Sequence, residues 1–335
     1  MINTDKENNF LIKVTEGLYR KTLLPYNDPG EMNIDKFIQL ALKNNLLYYS
    51  AKEIVKNASL NPALRTRFET IISEGAAEFL EIGRSIDEIK KHISDYIIFK
   101  TYRGEKFLRI GNDVDVLVTD DRRELIKNEF INLGYSTEYD DPKEKSVGLL
   151  KTGQKKIHLQ GGITWCWEKY LDDELIHHEP RKVSYNGQEI PIPNVNADFL
   201  IHLAHMNFEP LFMLYSELLY LFKLVPEVDF ALLLEQTRKY NWQRTFLRTI
   251  NLINNIHLQL YGELCCHTVK FKHLAMQRII FPYEFSRMHL FRTVLEKKLF
   301  LYSLTKISKI INLFIIRDAY QYIDSPERKM VTPAS

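Results

Sequence analysis

The sequence predicts an α+β fold in which a small mixed α/β core sits between two helical regions. Three observations lead there. Apolar residues recur at helical spacing over the first third; short β-branched and aromatic runs separated by turn signals replace them between 95 and 195; helical spacing returns from Ala197 onward. The expected division is therefore a helical region over 1–94, an α/β core over 95–195 and a helical region over 196–335.

In the first region, "NIDKFIQLALKNNLLYYSAKEIVKN" carries apolar groups at helical spacing, with Asn33 or Asp35 placed to cap its start. "NPALRTRFETIISEGAAEFLEIGRSIDEIKKHI" continues the period, and Pro62 fits the first turn of a helix. The pattern then breaks. "YIIFKTY", from Tyr96 to Tyr102, and "DVDVLV", from Asp113 to Val118, are too short for helices and read as strands. "DDRRELIKNEFINLGY" reads as a helix capped by Asp120 or Asp121 and stopped at Gly134. "SVGLLKTG" and "QKKIHLQ" flank a Thr152-Gly153 turn and predict an antiparallel hairpin; "RKVSYNGQEIPIP" predicts another through Asn186-Gly187. Beyond Ala197, "DFLIHLAHMNF", "LFMLYSELLYLFKL", "VDFALLLEQTRKYNWQRTFLRTINLINNIHLQLYG" and the segment from 284 to 322 all keep helical periodicity.

Composition narrows the function classes. The 335 residues are 45% hydrophobic and 26% charged, as in an ordinary globular protein, and the formal net charge is only +2. Nothing in that balance draws the chain to long nucleic acid, which is not an expected partner. Cys166, Cys265 and Cys266 lack both disulfide-framework and zinc-ligand spacing. There is no secretory h-region at the start and no apolar run of spanning length, so the expectation is a cytoplasmic protein with no membrane partner. "LEKKLFLYSLTKISKIINLFIIRD", with Lys306, Lys309 and Arg317 beside its apolar faces, could lie on a membrane surface or pack against the neighbouring Leu-rich helices.

The chemistry concentrates in "FLRIGNDVDVLV". Side chains alternate along a strand, so Asp113 and Asp115 project from one face, roughly 6 to 7 Å apart, while Val114, Val116 and Val118 take the other. A bare carboxylate on a buried strand is costly unless a cation meets it. Two at this separation can share divalent cations through the hard oxygen ligands that Mg²⁺ prefers. An Asp-x-Asp triplet alone also fits a turn cap beside a solvent-facing edge residue.

The surroundings add weight. "YIIFKTYRGEKFLRIGNDVDVLV" resembles the signature of the uncharacterised nucleotidyltransferase family of the polymerase-β-like superfamily. In that signature a strand ending in Lys runs through a loop containing Arg into a [GN]-D-[IV]-D-[VL]-[LV]-V strand, here Lys100, Arg109 and Asn112 to Val118. The resemblance implies a small mixed-sheet nucleotidyltransferase core with helical flanks. It further implies transfer of a nucleoside monophosphate from an NTP to an acceptor hydroxyl, with Mg²⁺ or Mn²⁺ at Asp113 and Asp115 and phosphate contacts from Lys100 and Arg109. Arg103 and Lys106 of the connecting loop are weaker versions of the same contacts.

Two departures from the family pattern follow. No Gly-Ser pair lies near Lys100. On the strand "KKIHLQ", His158 stands where the family pattern has an Asp, and Gln160 where it has a His. Imidazole is a poor Mg²⁺ ligand but suits Mn²⁺ or Zn²⁺. His158 thus stands either as a third catalytic ligand and proton acceptor or as a structural histidine. Asp140, Asp141 and Asp172 are the loop carboxylates that could supply the missing acid. Without one, the alternative function is a catalytically impaired nucleotide-binding or protein-interaction module. His202 and His205, three apart on a helix, could share a metal, or one of them packs inward and the other is incidental. A His recurs near this point in the resembling family, which implies for His205 a contact behind the site or to the substrate; Gln160 is a similar supporting residue. Trp165, Trp167 and Tyr170 could stack a base or form a packing patch.

Overall fold

The structure, a computed structural model, describes residues 5–20, 32–57, 59–102, 113–165, 168–185, 187–208, 212–274 and 279–296. Its first region is helical: α1 (Asp5–Arg20), α2 (Ile34–Lys43), α3 (Leu47–Ile54) and α4 (Pro62–His92). Asn33, not Asp35, caps α2, accepting the Lys36 backbone N–H at 3.1 Å. The run expected to be one helix is broken at Asn44 and Asn45. Asn45 takes φ 54°, a left-handed conformation that asparagine tolerates better than most residues. Asn61 caps α4 through the Ala63 N–H at 2.9 Å, and Pro62 sits in the first turn, where its missing N–H costs nothing.

The core begins with β1 (Ile97–Ile98) and β2 (Asp113–Leu117), followed by α5 (Asp120–Asn132), β3 (Ser136–Asp141), β4 (Ser146–Leu150) and β5 (Lys156–Gln160). Thr119 occupies the N-cap position of α5; Asp120 and Asp121 stand in its first turn instead, where their charge favours the helix dipole. Gly134, at φ 88°, ends the helix as expected. The five strands form one mixed sheet in the order β1-β2-β5-β4-β3, with β2 and β5 parallel and the other pairs antiparallel. Two short strand pairs with a helix between them follow: β6 (Thr164–Trp165) with β7 (Glu168–Lys169), then α6 (Asp173–His177), then β8 (Arg181–Tyr185) with β9 (Gln188–Ile192).

The last region comprises α7 (Val195–Phe208), β10 (Phe212–Met213), α8 (Tyr215–Leu224), α9 (Phe230–Lys239), α10 (Gln243–Tyr261), β11 (Tyr283–Glu284) and α11 (Arg287–Glu296). The long periodic stretch before Gly262 is split at Asn241, again at positive φ, into α9 and α10. Among the described residues no helix is long and apolar enough to cross a membrane. The segment carrying Lys306, Lys309 and Arg317 lies outside them.

Strand alternation sorts the sheet's residues. Val114, Val116, Val118, Val147, Leu149, Ile157 and Leu159 pack against Phe79, Ile82, Ile86 and Ile89 of α4 and Ile126 and Phe130 of α5. The opposite face joins a larger core, in which Ile97, Phe99, Leu117 and Ile163 meet residues of α7, α8 and α10 as well as α1 to α3. The two helical regions thus share one core, and the inner strands of the sheet, unlike the edge strand β3, are largely buried.

Phe130 is fully buried between α5 and the sheet, whereas Leu125 on the same helix is 70% exposed. Phe130→Ala is expected to lose roughly 3–5 kcal/mol in urea denaturation, and Leu125→Ala less than about 0.5 kcal/mol.

Candidate metal centre

The parallel pairing of β2 and β5 sets the site. Its register places Asp115 directly beside His158, Asp113 beside Lys156 and Leu117 beside Gln160. Asp113, Asp115 and His158 each offer a donor atom, all within 4.8 Å of one another. Asp115 is 1% exposed, while Asp113 and His158 are half-buried.

Such a buried carboxylate must be met by donors. His158 Nδ1 lies 3.0 Å and Lys100 Nζ 3.4 Å from Asp115 Oδ1. An ionised carboxylate only accepts hydrogen bonds, so Nδ1 carries the proton and Nε2 is left as the acceptor. The Gln160 amide nitrogen, 3.0 Å from Nε2, donates to it. On the backbone, the Asp115 N–H donates to Thr101 Oγ1 at 2.9 Å, and the Asp115 carbonyl accepts from Phe99 N–H at 3.1 Å.

Lys100 reaches the site through an unusual turn. The stretch expected to be a strand through Tyr102 pairs only at Ile97 and Ile98. It then folds into a γ-turn in which Thr101 N–H donates to the Phe99 carbonyl at 2.6 Å, around Lys100 at φ 56°. A lysine held there is strained by about 1–3 kcal/mol, a cost found mostly where the surroundings over-determine the conformation. The turn presents a 7% exposed Lys100 to Asp115 and sets Thr101 beneath the strand.

Tyr139 was not singled out from sequence. It pairs with Gly148, which in turn pairs with His158, so Tyr139, Gly148, His158 and Asp115 form one row across the sheet. A Cβ at Gly148 would stand 2.5 Å from Tyr139 Cε1. Without it, the tyrosine ring lies across the glycine and meets the His158 ring edge-on, centroids 5.8 Å apart.

Beside this row lies a small pocket lined by Phe99, Lys100, Gln160, Tyr170, His205 and Phe208, among others. Its volume is about 30 Å³, room for one or two water molecules. His205 thus borders the same space as Lys100 and Gln160. Its Nδ1 stands 3.2 Å from Glu217 Oε1 of α8, a carboxylate with no exposed surface. His202 is the inward-packing histidine of the pair, 3.5 Å from the buried Asp198, which Arg181 meets at 2.6 Å. Glu217 was also missed, since in sequence it is one polar residue within a Leu-rich helix.

The chain's family follows from a comparison that agrees with this geometry. Residues 31–257, from the approach to α2 through most of α10, match the model of a family described as uncharacterised nucleotidyltransferase. The chain belongs to that family. No curated protein matches it in sequence. The match includes the strands bearing Asp113, Asp115 and His158, and the mixed sheet with helical flanks is the nucleotidyltransferase architecture expected from the motif.

The other sequence expectations divide. Arg109, Arg103, Lys106 and Asn112 lie outside the described residues, as do Cys166 and Trp167. Tyr170 is buried and packs on Phe208 and Trp242, with ring centroids 4.4 and 6.2 Å away, so it is a packing residue and not an exposed stacking platform. The three candidate loop carboxylates are engaged elsewhere. Asp140 is bonded to Arg123 at 3.1 Å and Lys127 at 2.8 Å; burial disfavours its charge, but these hydrogen bonds outweigh it and hold its pKa low. Asp141 accepts the Lys143 and Glu144 backbone N–H groups. Asp172 is clamped by Lys239 at 2.7 Å, Tyr240 at 2.5 Å and Gln236 at 3.0 Å. Among the described residues, the metal-binding group contains no third carboxylate.

The clamp on Asp172 makes stability depend on pH. Burial opposes its ionisation, yet hydrogen bonds from Lys239, Tyr240 and Gln236 depress its pKa from 3.8 to about 2. Its contribution is therefore complete above the unfolded value and lost as pH falls through the folded one. Asp172→Asn is expected to lower the urea midpoint at pH 7, with the gap to the wild type narrowing steadily below pH ~4. A gap that stays constant to pH ~3 would contradict this account.

Proposed function

We propose that this nucleotidyltransferase-family protein moves a nucleoside monophosphate from an NTP to an acceptor hydroxyl and releases pyrophosphate. The observation that carries the reading is the meeting of Asp113, Asp115 and His158 within 4.8 Å on adjacent parallel strands, in a chain of this family. Two hard carboxylates and one imidazole suit Mn²⁺ well and Mg²⁺ less well. A divalent cation held by Asp113 and Asp115, with His158 joining once its proton moves from Nδ1 to Nε2 and frees the Nδ1 lone pair, would neutralise the triphosphate and polarise the attacking oxygen.

The chain's own residues have the remaining tasks. Lys100, whose ammonium already faces the Asp115 carboxylate, steadies the phosphates as a point charge, and Arg109 adds a bidentate contact. Gln160 orients the His158 ring through Nε2, and His205, backed by Glu217, borders the space next to Lys100. In the reaction the acceptor hydroxyl gives up its proton to water, its oxygen bonds to the α-phosphorus, the bond from that phosphorus to the bridging oxygen breaks, and pyrophosphate leaves with the electron pair. The acceptor is a small molecule, sugar or protein hydroxyl. Cys265 and Cys266 are free thiols, which supports a reducing cytoplasmic setting.

One observation favours a second reading. Asp140, Asp141 and Asp172 are all engaged elsewhere, so among the described residues no carboxylate replaces the one whose place His158 takes. A chain with only two acidic ligands could bind nucleotide without transferring it, serving as a nucleotide-binding or protein-interaction module.

Calorimetric titration of ATP, GTP, CTP and UTP, each with Mg²⁺ and with Mn²⁺, decides whether the nucleotide site exists. At least one nucleotide is expected to bind in a metal-dependent way to the wild type, and none to a folded Asp113→Asn/Asp115→Asn variant. If folded wild-type protein binds none of the four, the transferase reading fails and the interaction module stands. His158→Asp adds a carboxylate and is expected to shift preference from Mn²⁺ toward Mg²⁺ by about tenfold, the scale on which changes around a metal act. An unchanged metal preference would assign His158 to holding Asp115 in place.

A further inference from the structure

A second cluster of charge lies away from the aspartates, where the start of α10 meets the end of α11. Arg244 and Arg248 are four residues apart on α10, and Arg292 and Glu296 four apart on α11, so each pair shares a helix face. With Leu295 these four residues line a cavity of about 550 Å³, which shares no lining residue with the pocket beside Lys100.

The charges around this cavity do not balance. Among the described lining residues Glu296 is the one carboxylate, and that group is spent on the N-terminus of α10. It accepts the backbone N–H groups of Arg244 at 2.5 Å and Thr245 at 2.8 Å, and the Thr245 hydroxyl at 2.9 Å. The end of α10 is thus already an anion-accepting position, as helix N-termini are. Arg248 Nη2 donates to Thr245 Oγ1 at 2.8 Å and lies 3.6 Å from Glu296. Its Nε is buried and has no hydrogen-bond partner. Neither Arg244 nor Arg292 forms an ion pair among the described residues. Burial foremost, and then the proximity of Arg292 and Arg244, push the Arg248 guanidinium below its ordinary pKa against the opposing pull of Glu296. His289, one turn before Arg292, is pushed down to about 4 by burial and by Arg248, so it is neutral and adds no charge at pH 7.

Three guanidiniums that cannot shed their protons therefore face one cavity with a single, already engaged, carboxylate. Guanidinium forks match phosphate oxygens bidentately, and the cavity volume is that of a small-molecule site. We propose that this cavity binds a phosphorylated small molecule through its phosphate, with the guanidinium groups of half-buried Arg248 and exposed Arg244 and Arg292 as the donors. The site is independent of the proposed nucleotidyl transfer and stands without it.

The test uses the full chain in EDTA, which removes divalent metal from the aspartate cluster, with pyrophosphate as the probe in calorimetric titration. Pyrophosphate is expected to bind the wild type and Asp113→Asn/Asp115→Asn alike, and to bind Arg248→Gln/Arg292→Gln at least about tenfold more weakly, as loss of charge-assisted hydrogen bonds predicts. Arg292→Gln alone, at an exposed position, is expected to weaken binding in a protein whose folding is unchanged. Lys100→Met separates this cavity from phosphate binding near the aspartates and should leave the affinity unaltered. No binding in EDTA overturns the proposal, as does binding that Lys100→Met abolishes and the arginine substitutions spare. Failure of the nucleotide titrations would leave this result untouched.

Discussion

A carboxylate that is almost wholly buried sets the terms for much of this structure. Asp115 cannot rely on water for its charge, and an unpaired carboxylate in such surroundings is too costly to keep. Its neighbours are arranged accordingly. Lys100 is bent into a γ-turn at positive φ and faces it, Thr101 takes its backbone N–H, and His158 lies opposite it on the parallel strand. A slip of β5 by one residue would replace His158 beside Asp115 with an aliphatic side chain, so the register of the whole sheet is tied to this one charge.

That register also explains why β2 and β5 are largely buried yet carry chemistry on only one face. The valine face is filled by α4 and α5 and offers nothing to a ligand. The carboxylate face borders α7, whose His205 meets Glu217 of α8, so a second buried histidine–carboxylate contact stands behind the pocket that Lys100 and Gln160 line. Because α1 to α3 pack into the same core as α7, α8 and α10, the N-terminal helices act on the site indirectly, by holding the helices that form its wall. Trp242, at the head of α10, donates to the Tyr170 carbonyl at 3.0 Å and packs on Phe208, extending that support from the pocket wall to the C-terminal helices.

Much of this was legible in the sequence because it rests on local periodicity. The alternation of Asp113 and Asp115 with three valines identified the strand, its two faces and the donor pair. Asn61-Pro62 and Gly134 marked helix ends through backbone chemistry that works at short range. What escaped depends on the surface or on topology. β3, "STEYDD", has no buried face, so it lacks the hydrophobic alternation by which strands are recognised and exists only because β4 pairs with it. β1 is shorter than its apolar run because Lys100 must turn toward Asp115, a demand set by a residue fifteen positions later. Tyr139 and Glu217 matter through contacts across the sheet and between helices, which no window of sequence contains. The same holds for Asp172, whose partners Lys239 and Tyr240 lie on the far side of the chain.

The replacement of an acidic residue by His158 has an electrostatic consequence that follows from the side chain itself. An imidazole meets a cation through a nitrogen lone pair and brings no negative charge to it. The donor set then carries two negative charges where three carboxylates would carry three, and Lys100 offsets one of the two. Such a set attracts a free divalent cation weakly, and it repels an incoming triphosphate less. Hard cations of the Mg²⁺ type are commonly held by one or two carboxylates together with substrate phosphates. On the proposed reading, metal and nucleotide therefore bind as a unit, with the phosphates supplying the negative charge that His158 does not. Lys100, which faces Asp115 at 3.4 Å, would then be the residue to meet the phosphates, and a cation held by Asp113 and Asp115 would keep the buried carboxylate from being left unmatched.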